Sequence, residues 1–301
     1  MTERVAPKKR RRDLARYLYI APATLYVLMF AVVPMVRGVW LGFTDTKLTN
    51  PSGGRFIGLD NYTSLLGSEA FWNSIRTTIL YTLVTVIGTL VLGTSAALAL
   101  NRAFAGRALL RGLLTFPYAM PTIAAVLVFI WIYNPSSGLF NRVGRVLGIG
   151  EAGWLTDPEY GLASVLIATI WKVFPIVMLI VLAALQSVPE ELREAARVDG
   201  ADALSSFRGI VLPHIMPTLR IVALLMTIWS IRRFEIIYLL TGGGPVETTN
   251  TVVVSIYRRA FSDLDLSTAA ALGVFGLLLS FIVTVAFFII ETRETRKEAS
   301  S

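Results

Sequence analysis

Apolar residues in this chain fall into long runs separated by short polar or charged segments. Six runs, at about 17–36, 77–100, 112–133, 162–185, 221–240 and 269–290, each approach the roughly 20 residues a helix needs to cross a hydrocarbon layer. The fold class expected from them is an all-α polytopic membrane protein with about six transmembrane helices. Pro117 and Pro121 in the third run and Pro175 in the fourth predict kinks that free backbone carbonyls, as a movable cavity wall would need. The first run follows Lys8-Lys9-Arg10-Arg11-Arg12, as a signal peptide would. It is too long for the apolar region of one, and no small-residue cleavage site follows, so it is read as a retained span.

Composition agrees. Of 301 residues, 54% are hydrophobic and 16% charged, and the mean hydropathy is +0.64. That leaves too little charge to cover a water-soluble surface. The absence of Cys excludes disulfides, thiolate metal sites and thiol nucleophiles, and a single histidine, His214, excludes a His-rich metal cluster. His214 is read as a surface residue beside Pro213. The formal net charge of +8 would suggest nucleic acid in a soluble protein. Here the basic residues lie mostly between apolar runs and read as topology signals, so no nucleic-acid partner is expected. With the N-terminus in the cytoplasm, 17 Lys and Arg residues fall in inner segments and 8 in outer ones. Both termini are therefore expected inside. The domain reading is a basic tail at 1–16, a membrane domain at 17–290 and a second tail at 291–301. Outer loops are expected near 44–76, 134–161 and 241–268.

The connection at 187–217 is longer than an inner loop requires. Ser187 and Glu190 have capping-box spacing, Pro189 sits in the first turn, and Gly200 is placed to end the helix in the left-handed conformation. These signals specify a capped helix of about 11 residues outside the membrane. Glu190, Glu191 and Glu194 lie near its positive end. A second short helix is expected from Asp202, with Pro213 and Pro217 breaking the chain before the fifth span.

The run Glu194-Ala195-Ala196, three residues, Gly200, nine residues, Ile210, one residue, Leu212-Pro213 resembles the signature of binding-protein-dependent ABC importer permeases of type I. Phe56-Ile-Gly-Leu-Asp-Asn-Tyr62, Trp171-Lys172 with Pro175, and Phe234-Glu-Ile-Ile-Tyr-Leu-Leu-Thr-Gly-Gly-Gly-Pro245 resemble the carbohydrate and glycerol-phosphate branch, first permease of a maltose-type pair. Glu235 stands where that branch often has Asp. The resemblance covers roughly residues 15–290. It implies that 187–217 holds a cytoplasmic coupling helix between helices 4 and 5, with Glu194, Ala195, Ala196, Arg197, Asp199, Gly200, Ile210, Leu212 and Pro213 facing or positioning an ATPase. It also implies a bacterial inner-membrane location, a homologous second permease, two cytoplasmic nucleotide-binding subunits that hold ATP and Mg, and an extracytoplasmic solute-binding protein. The implied motion is alternating access, which moves a sugar-like solute inward.

Ionisable residues inside spans cost on the order of 2.5–3.5 kcal/mol on insertion scales. Lys172, Arg232 and Arg233 lie there. Read as one helix, the fifth span puts Arg232 and Glu235 three apart on one face, able to pair. Trp229, Ser230 and Tyr238 add stacking and hydrogen-bonding groups suited to a sugar. These residues and Lys172 are the candidate solute path, Lys172 being the more structural by resemblance. The charges would otherwise only tie spans together.

No G-x-x-x-x-G-K occurs, so no ATPase site, bound cofactor or metal is expected on this chain. An ion-coupled secondary transporter is the alternative that buried Arg232 and Glu235 leave open, although no inverted repeat of broken spans is visible. A membrane enzyme would need a polar catalytic cluster that one His and no Cys hardly supply.

Overall fold

At 1.5 Å per residue, a 33-residue helix is roughly 50 Å long, well beyond a hydrocarbon core of roughly 30 Å. Two such helices frame a computed structural model that describes residues 10–148 and 150–298; the side chains of residues 10–16 and 290–298 and of Arg193, Ala195 and Arg197 lie outside that description. The chain starts as α1 (Arg10–Val27), a π-turn at Leu28–Val32 and α2 (Val33–Leu41), together one apolar rod. Next come α3 (Asp60–Leu66), α4 (Glu69–Asn101), α5 (Arg107–Ala119), α6 (Thr122–Ile132) and α7 (Leu139–Val146). The long α8 (Pro158–Gln186) leads to α9 (Glu190–Val198) and α10 (Ala203–Ser206), then a π-turn at Phe207–Val211 and α11 (Leu212–Ile231). The chain closes with α12 (Glu235–Thr241), α13 (Val252–Tyr257), a π-turn at Arg258–Ser262 and α14 (Leu266–Glu298). No strand occurs among the described residues.

Among the described residues five helices are long and apolar enough to cross a membrane, and α5 with α6 makes a sixth if that bent pair is one span. This agrees with the six runs in the sequence. Several boundaries differ: the second helix begins earlier, at Glu69, and the fifth span at Ala203. The third run begins earlier, at Arg107, and bends by 99° between α5 and α6. The fifth span ends at Ile231, and α12 restarts at Glu235. The last helix continues through Glu298, so most of the expected C-terminal tail is helical, as is the expected N-terminal tail from Arg10.

Proline behaves differently at each site. Pro121 stands in the gap between α5 and α6, while Pro117 lies inside α5 and Pro175 inside an unbroken α8. Pro213 and Pro217 do not break the chain as expected. The helix runs from Ala203 to Ile231, with Pro213 in the first turn of α11. The π-turn just before it, in which the Leu212 N–H reaches Phe207 O, widens the turn that would otherwise meet the Pro213 ring.

The core lies along α4 and α8. A face of small hydroxyl residues on α4 (Ser74, Thr78, Thr85, Thr89) is buried, and Thr78 and Thr89 donate to the carbonyls four residues back. Such residues let helices approach closely where lipid offers no hydrophobic drive. Ala97 and Leu100 of α4, Val177, Val181 and Leu185 of α8, and Ile215, Val222 and Met226 of α11 fill one end of the bundle. Tyr81, Phe129, Tyr133, Val165 and Ile237 fill the other.

The Phe56–Tyr62 segment has a structural role. Asn61 Nδ2 donates to Gly42 O and Thr44 O at 2.9 and 2.8 Å, and Tyr62 packs on Phe43 and Phe275. Lys47 Nζ lies 2.7 Å from Asp265 Oδ2. Although partial burial of the Asp265 carboxyl opposes ionisation, hydrogen bonds from Lys47, Thr268 and Ser267 outweigh it and hold the group below its usual range.

Candidate functional site

Two places in the fold carry polar chemistry that the bundle does not need. The first is α9, which leaves the end of α8 and returns through Gly200 to α10. The helix is nine residues long, two fewer than expected. Gly200 takes φ +81°, and the next amide, Ala201 N–H, reaches back to Ala196 O at 2.9 Å, so the left-handed stop is present where the sequence placed it. Glu190, Glu191, Leu192, Glu194, Val198, Asp199 and Gly200 are exposed, and Ala196 is half-buried. Ala195 and Arg197 have side chains outside the described residues. Val188 is buried in the core and anchors the entry to α9.

The Ser187 hydroxyl donates to Ala184 O at the end of α8 and lies 3.2 Å from His214 Nε2, and His214 is exposed as expected. The second short helix starts where predicted. Asp202 accepts the Ser205 N–H at 2.8 Å, and hydrogen bonding to Ser205 holds its carboxyl below the usual range. Ile210 and Leu212, however, are not loop residues. They belong to the helix that continues to Ile231, where Ile210 packs on the core and Leu212 is half-buried. Pro213 is exposed at the start of α11.

The second place is a cavity of about 620 Å³ where two interrupted helices meet the middle of α8. Tyr118 and Thr122 flank the α5–α6 gap, Lys172 and Val173 come from α8, and Trp229, Arg232, Arg233, Phe234, Glu235 and Ile236 surround the α11–α12 gap. Lys172 is buried, and its Nζ donates to Met120 O at 2.6 Å. Met120 ends α5, so a cation caps the negative end of that helix and satisfies a carbonyl in the break. Lys172→Met is expected to lower the thermal stability of the purified complex by about 1–3 kcal/mol, the cost of leaving such a carbonyl unpaired. Lys172→Gln, which keeps a donor, should lose less, and equal melting of all three proteins would rule out the cap.

Arg232 and Glu235 do not share a helix face as expected. Arg232 caps the C-terminus of α11 (φ −94°, ψ 3°), and Glu235 opens α12. Each charge therefore sits at the helix end whose dipole favours it, with no ion pair between the two among the described residues. Four of the expected path residues, Trp229, Arg232, Glu235 and Lys172, line the cavity. Ser230 and Tyr238 do not. Ser230 is buried, and Tyr238 stacks on Phe234 at 4.9 Å and packs at a tilt against Tyr257 at 4.7 Å, which pins α12 to α13. Sequence reasoning missed Tyr118, Thr122 and Phe234. Their signal was position next to a helix break, legible for Pro121 but not for the break at 232–234.

Comparison with known proteins gives one consistent result. The family described as binding-protein-dependent transport system inner membrane component matches residues 89–296. The trehalose/maltose transport system permease protein MalF of Thermococcus litoralis is 36% identical over 268 residues, covering 89% of this chain and 90% of that protein. The sulfoquinovosyl glycerol transport system permease protein SmoG of Agrobacterium fabrum is 35% identical, covering 93% and 92%. A chain in the crystal structure of a bacterial ABC transporter involved in import of the acidic polysaccharide alginate superposes with a TM-score of 0.83 at 23% identity, covering 95% of this chain and 98% of that one, which bears on the fold alone.

Proposed function

Since this chain, a multi-pass membrane protein, belongs to the family of binding-protein-dependent transport system inner membrane components, we propose that it is the permease subunit through which a sugar-like solute passes inward, with α9 as the coupling helix. One observation carries the reading. The helix from Ala203 to Ile231 starts beside the exposed α9 and ends at the cavity wall, with Trp229 and Arg232 at its far end. At 1.5 Å per residue, its 29 residues make a rod of roughly 43 Å. α8 joins the same two places, with Lys172 at its middle and α9 after its last turn. Force applied at α9 thus reaches the cavity through short turns at 187–189 and 199–202 and two stiff helices.

In this reading an ATPase subunit grips the exposed Glu194 and Asp199 beside the half-buried Ala196, and closure of an ATPase pair tilts the rod and turns the cavity outward. ATP and Mg belong to those subunits, and this chain contributes no nucleotide site. A solute-binding protein delivers cargo at the opposite end. A homologous permease completes the path, and the mostly exposed apolar rod from Tyr17 to Leu41 is available to pack on it. Both termini face the cytoplasm, with the membrane domain between the two tails. The names of the relatives, which include trehalose, maltose and sulfoquinovosyl glycerol transport, support a carbohydrate or glycoside as the cargo. Aromatic faces at Tyr118, Trp229 and Phe234 beside planar hydrogen-bonding groups suit such a ligand. Family membership favours ATP-driven import over the ion-coupled alternative.

Uptake kinetics of the reconstituted complex test the path. Arg232→Ala and Glu235→Gln are each expected to raise the KM for the transported solute about tenfold, the value of one hydrogen bond to a charged group. Unchanged KM in both removes these residues from the path.

A further inference from the structure

The charge on the cavity wall is unbalanced, and from it we infer that the transported solute carries an anionic group: a saccharide or glycoside bearing a carboxylate, sulfonate or phosphate. This rests on the reading above that the cavity is the solute path.

Three cations, Lys172, Arg232 and Arg233, line the cavity against one carboxylate, Glu235. Among the described residues none of the three cations forms an ion pair with Glu235. The hydrogen bond from Lys172 to Met120 O satisfies one donor and leaves the positive charge in place. Arg233 adds a second signal: its Nε is buried and has no acceptor. A guanidinium cannot shed its proton to escape such a position, so the group keeps both its charge and an unmet donor. Even with the full charge of Glu235 set against them, two positive charges remain at the junction of two helix breaks.

An oxyanion is the ligand feature that answers both. It supplies the missing charge and accepts from a planar guanidinium fork in the bidentate manner that makes arginine selective for carboxylates and phosphates. The same wall carries Tyr118, Trp229 and Phe234, whose faces suit the C–H side of a sugar ring. Water exclusion on closure would strengthen the pairing, because opposite charges attract more in a low-dielectric site. The combination of two uncompensated cations with three aromatics describes an acidic sugar better than a neutral one.

The experiment uses the complete transporter with its cognate binding protein. A panel of matched pairs (methyl glucoside and methyl glucuronide, methyl glucoside and its 6-sulfonate, maltose and an aldobiouronic acid, glycerol and glycerol phosphate) is screened for thermal shift of the binding protein. The members that bind are then assayed for ATP-driven uptake in proteoliposomes. The expected result is that the acidic partner of a pair binds and is transported. Arg232→Gln with Arg233→Gln should lower kcat/KM for it by about 10- to 100-fold, and the paired lysine replacements, which keep the charge without the fork, should restore part of the loss. If no acidic member shifts the binding protein, the inference is overturned. It is equally overturned if acidic and neutral partners are taken up alike and the glutamine pair leaves their ratio unchanged, which is the outcome expected when the second permease supplies the balancing carboxylate. A neutral cargo whose KM rises in Arg232→Ala sinks the anionic inference and leaves the cavity as the path. A cargo whose KM moves in none of these variants sinks both.

Discussion

Uptake is expected to be lost, with the membrane helices still folded, when Gly200 is replaced by proline. Gly200 holds φ at +81°, a left-handed value that the proline ring, fixed near −65°, cannot adopt. The turn would have to open, and the 2.9 Å bond from Ala201 N–H to Ala196 O that closes α9 would go with it. The consequence is geometric more than energetic. A methyl group added at Gly200 meets open space, so no core contact is disturbed. What changes is the angle at which α9 hangs between α8 and the Ala203–Ile231 rod. Gly200→Ala is the graded control. An L-residue held left-handed costs roughly 1–2 kcal/mol, which should weaken transport without abolishing it. Three measurements on each protein decide the matter: thermal midpoint of the purified permease, co-purification of the ATPase subunit, and ATP-driven uptake. The midpoint should be nearly native in both variants, while attachment and uptake fall partly in Gly200→Ala and completely in Gly200→Pro. Native uptake by Gly200→Pro would mean that α9 transmits nothing.

Gly200 was readable because its residue type sets its conformation, and the Asp202 cap and the long apolar runs because they too depend on residues next to each other in the sequence. The breaks that build the cavity were not readable in the same way. The sequence offers Pro117, Pro121, Pro175, Pro213 and Pro217 as candidate breakers, and a gap forms at Pro121. There the carbonyl left over, on Met120, meets the ammonium of Lys172, which lies 52 residues away in sequence. No local pattern encodes that meeting. At Pro213, by contrast, the chain absorbs the ring within a π-turn and stays helical. The gap at Arg232–Phe234 contains neither proline nor glycine, so counting three residues from Arg232 to Glu235 implied a shared face that the interruption removes. Two adjacent arginines inside an apolar run were the available warning, since one continuous lipid-facing helix has no inexpensive place for both. The short helices α3 and α7 and the α13 turn passed as plain loop for a related reason. Each has eight residues or fewer and is held by tertiary contacts, such as the bond from Val252 N–H to Thr78 Oγ1 that fixes the start of α13.

The closest helix packing in the bundle core is α4 on α8, and it is tight at Gly93. A Cβ at that position would lie 2.7 Å from Val177 Cγ1, 2.8 Å from Val177 Cβ and 3.0 Å from Met178 N. The last contact is backbone, so it cannot be relieved by turning a side chain. Gly88, five residues earlier, differs in kind: its added methyl would meet the flexible end of Ile170 at 2.5 Å. Gly93→Leu is therefore expected to prevent assembly of a stable permease, since forcing methylenes into a filled interface costs roughly 1–3 kcal/mol or more and here also pushes two backbones apart. Gly93→Ala should lower the melting temperature clearly and Gly88→Ala only slightly, as read by thermal unfolding and membrane yield. The ranking matters more than any single value. If α4 and α8 separated during transport, the contact at Gly93 would be transient, and Gly93→Ala would slow uptake more than it lowered stability. If they form the fixed frame, the loss of stability comes first, and the protein that survives transports at a nearly native rate.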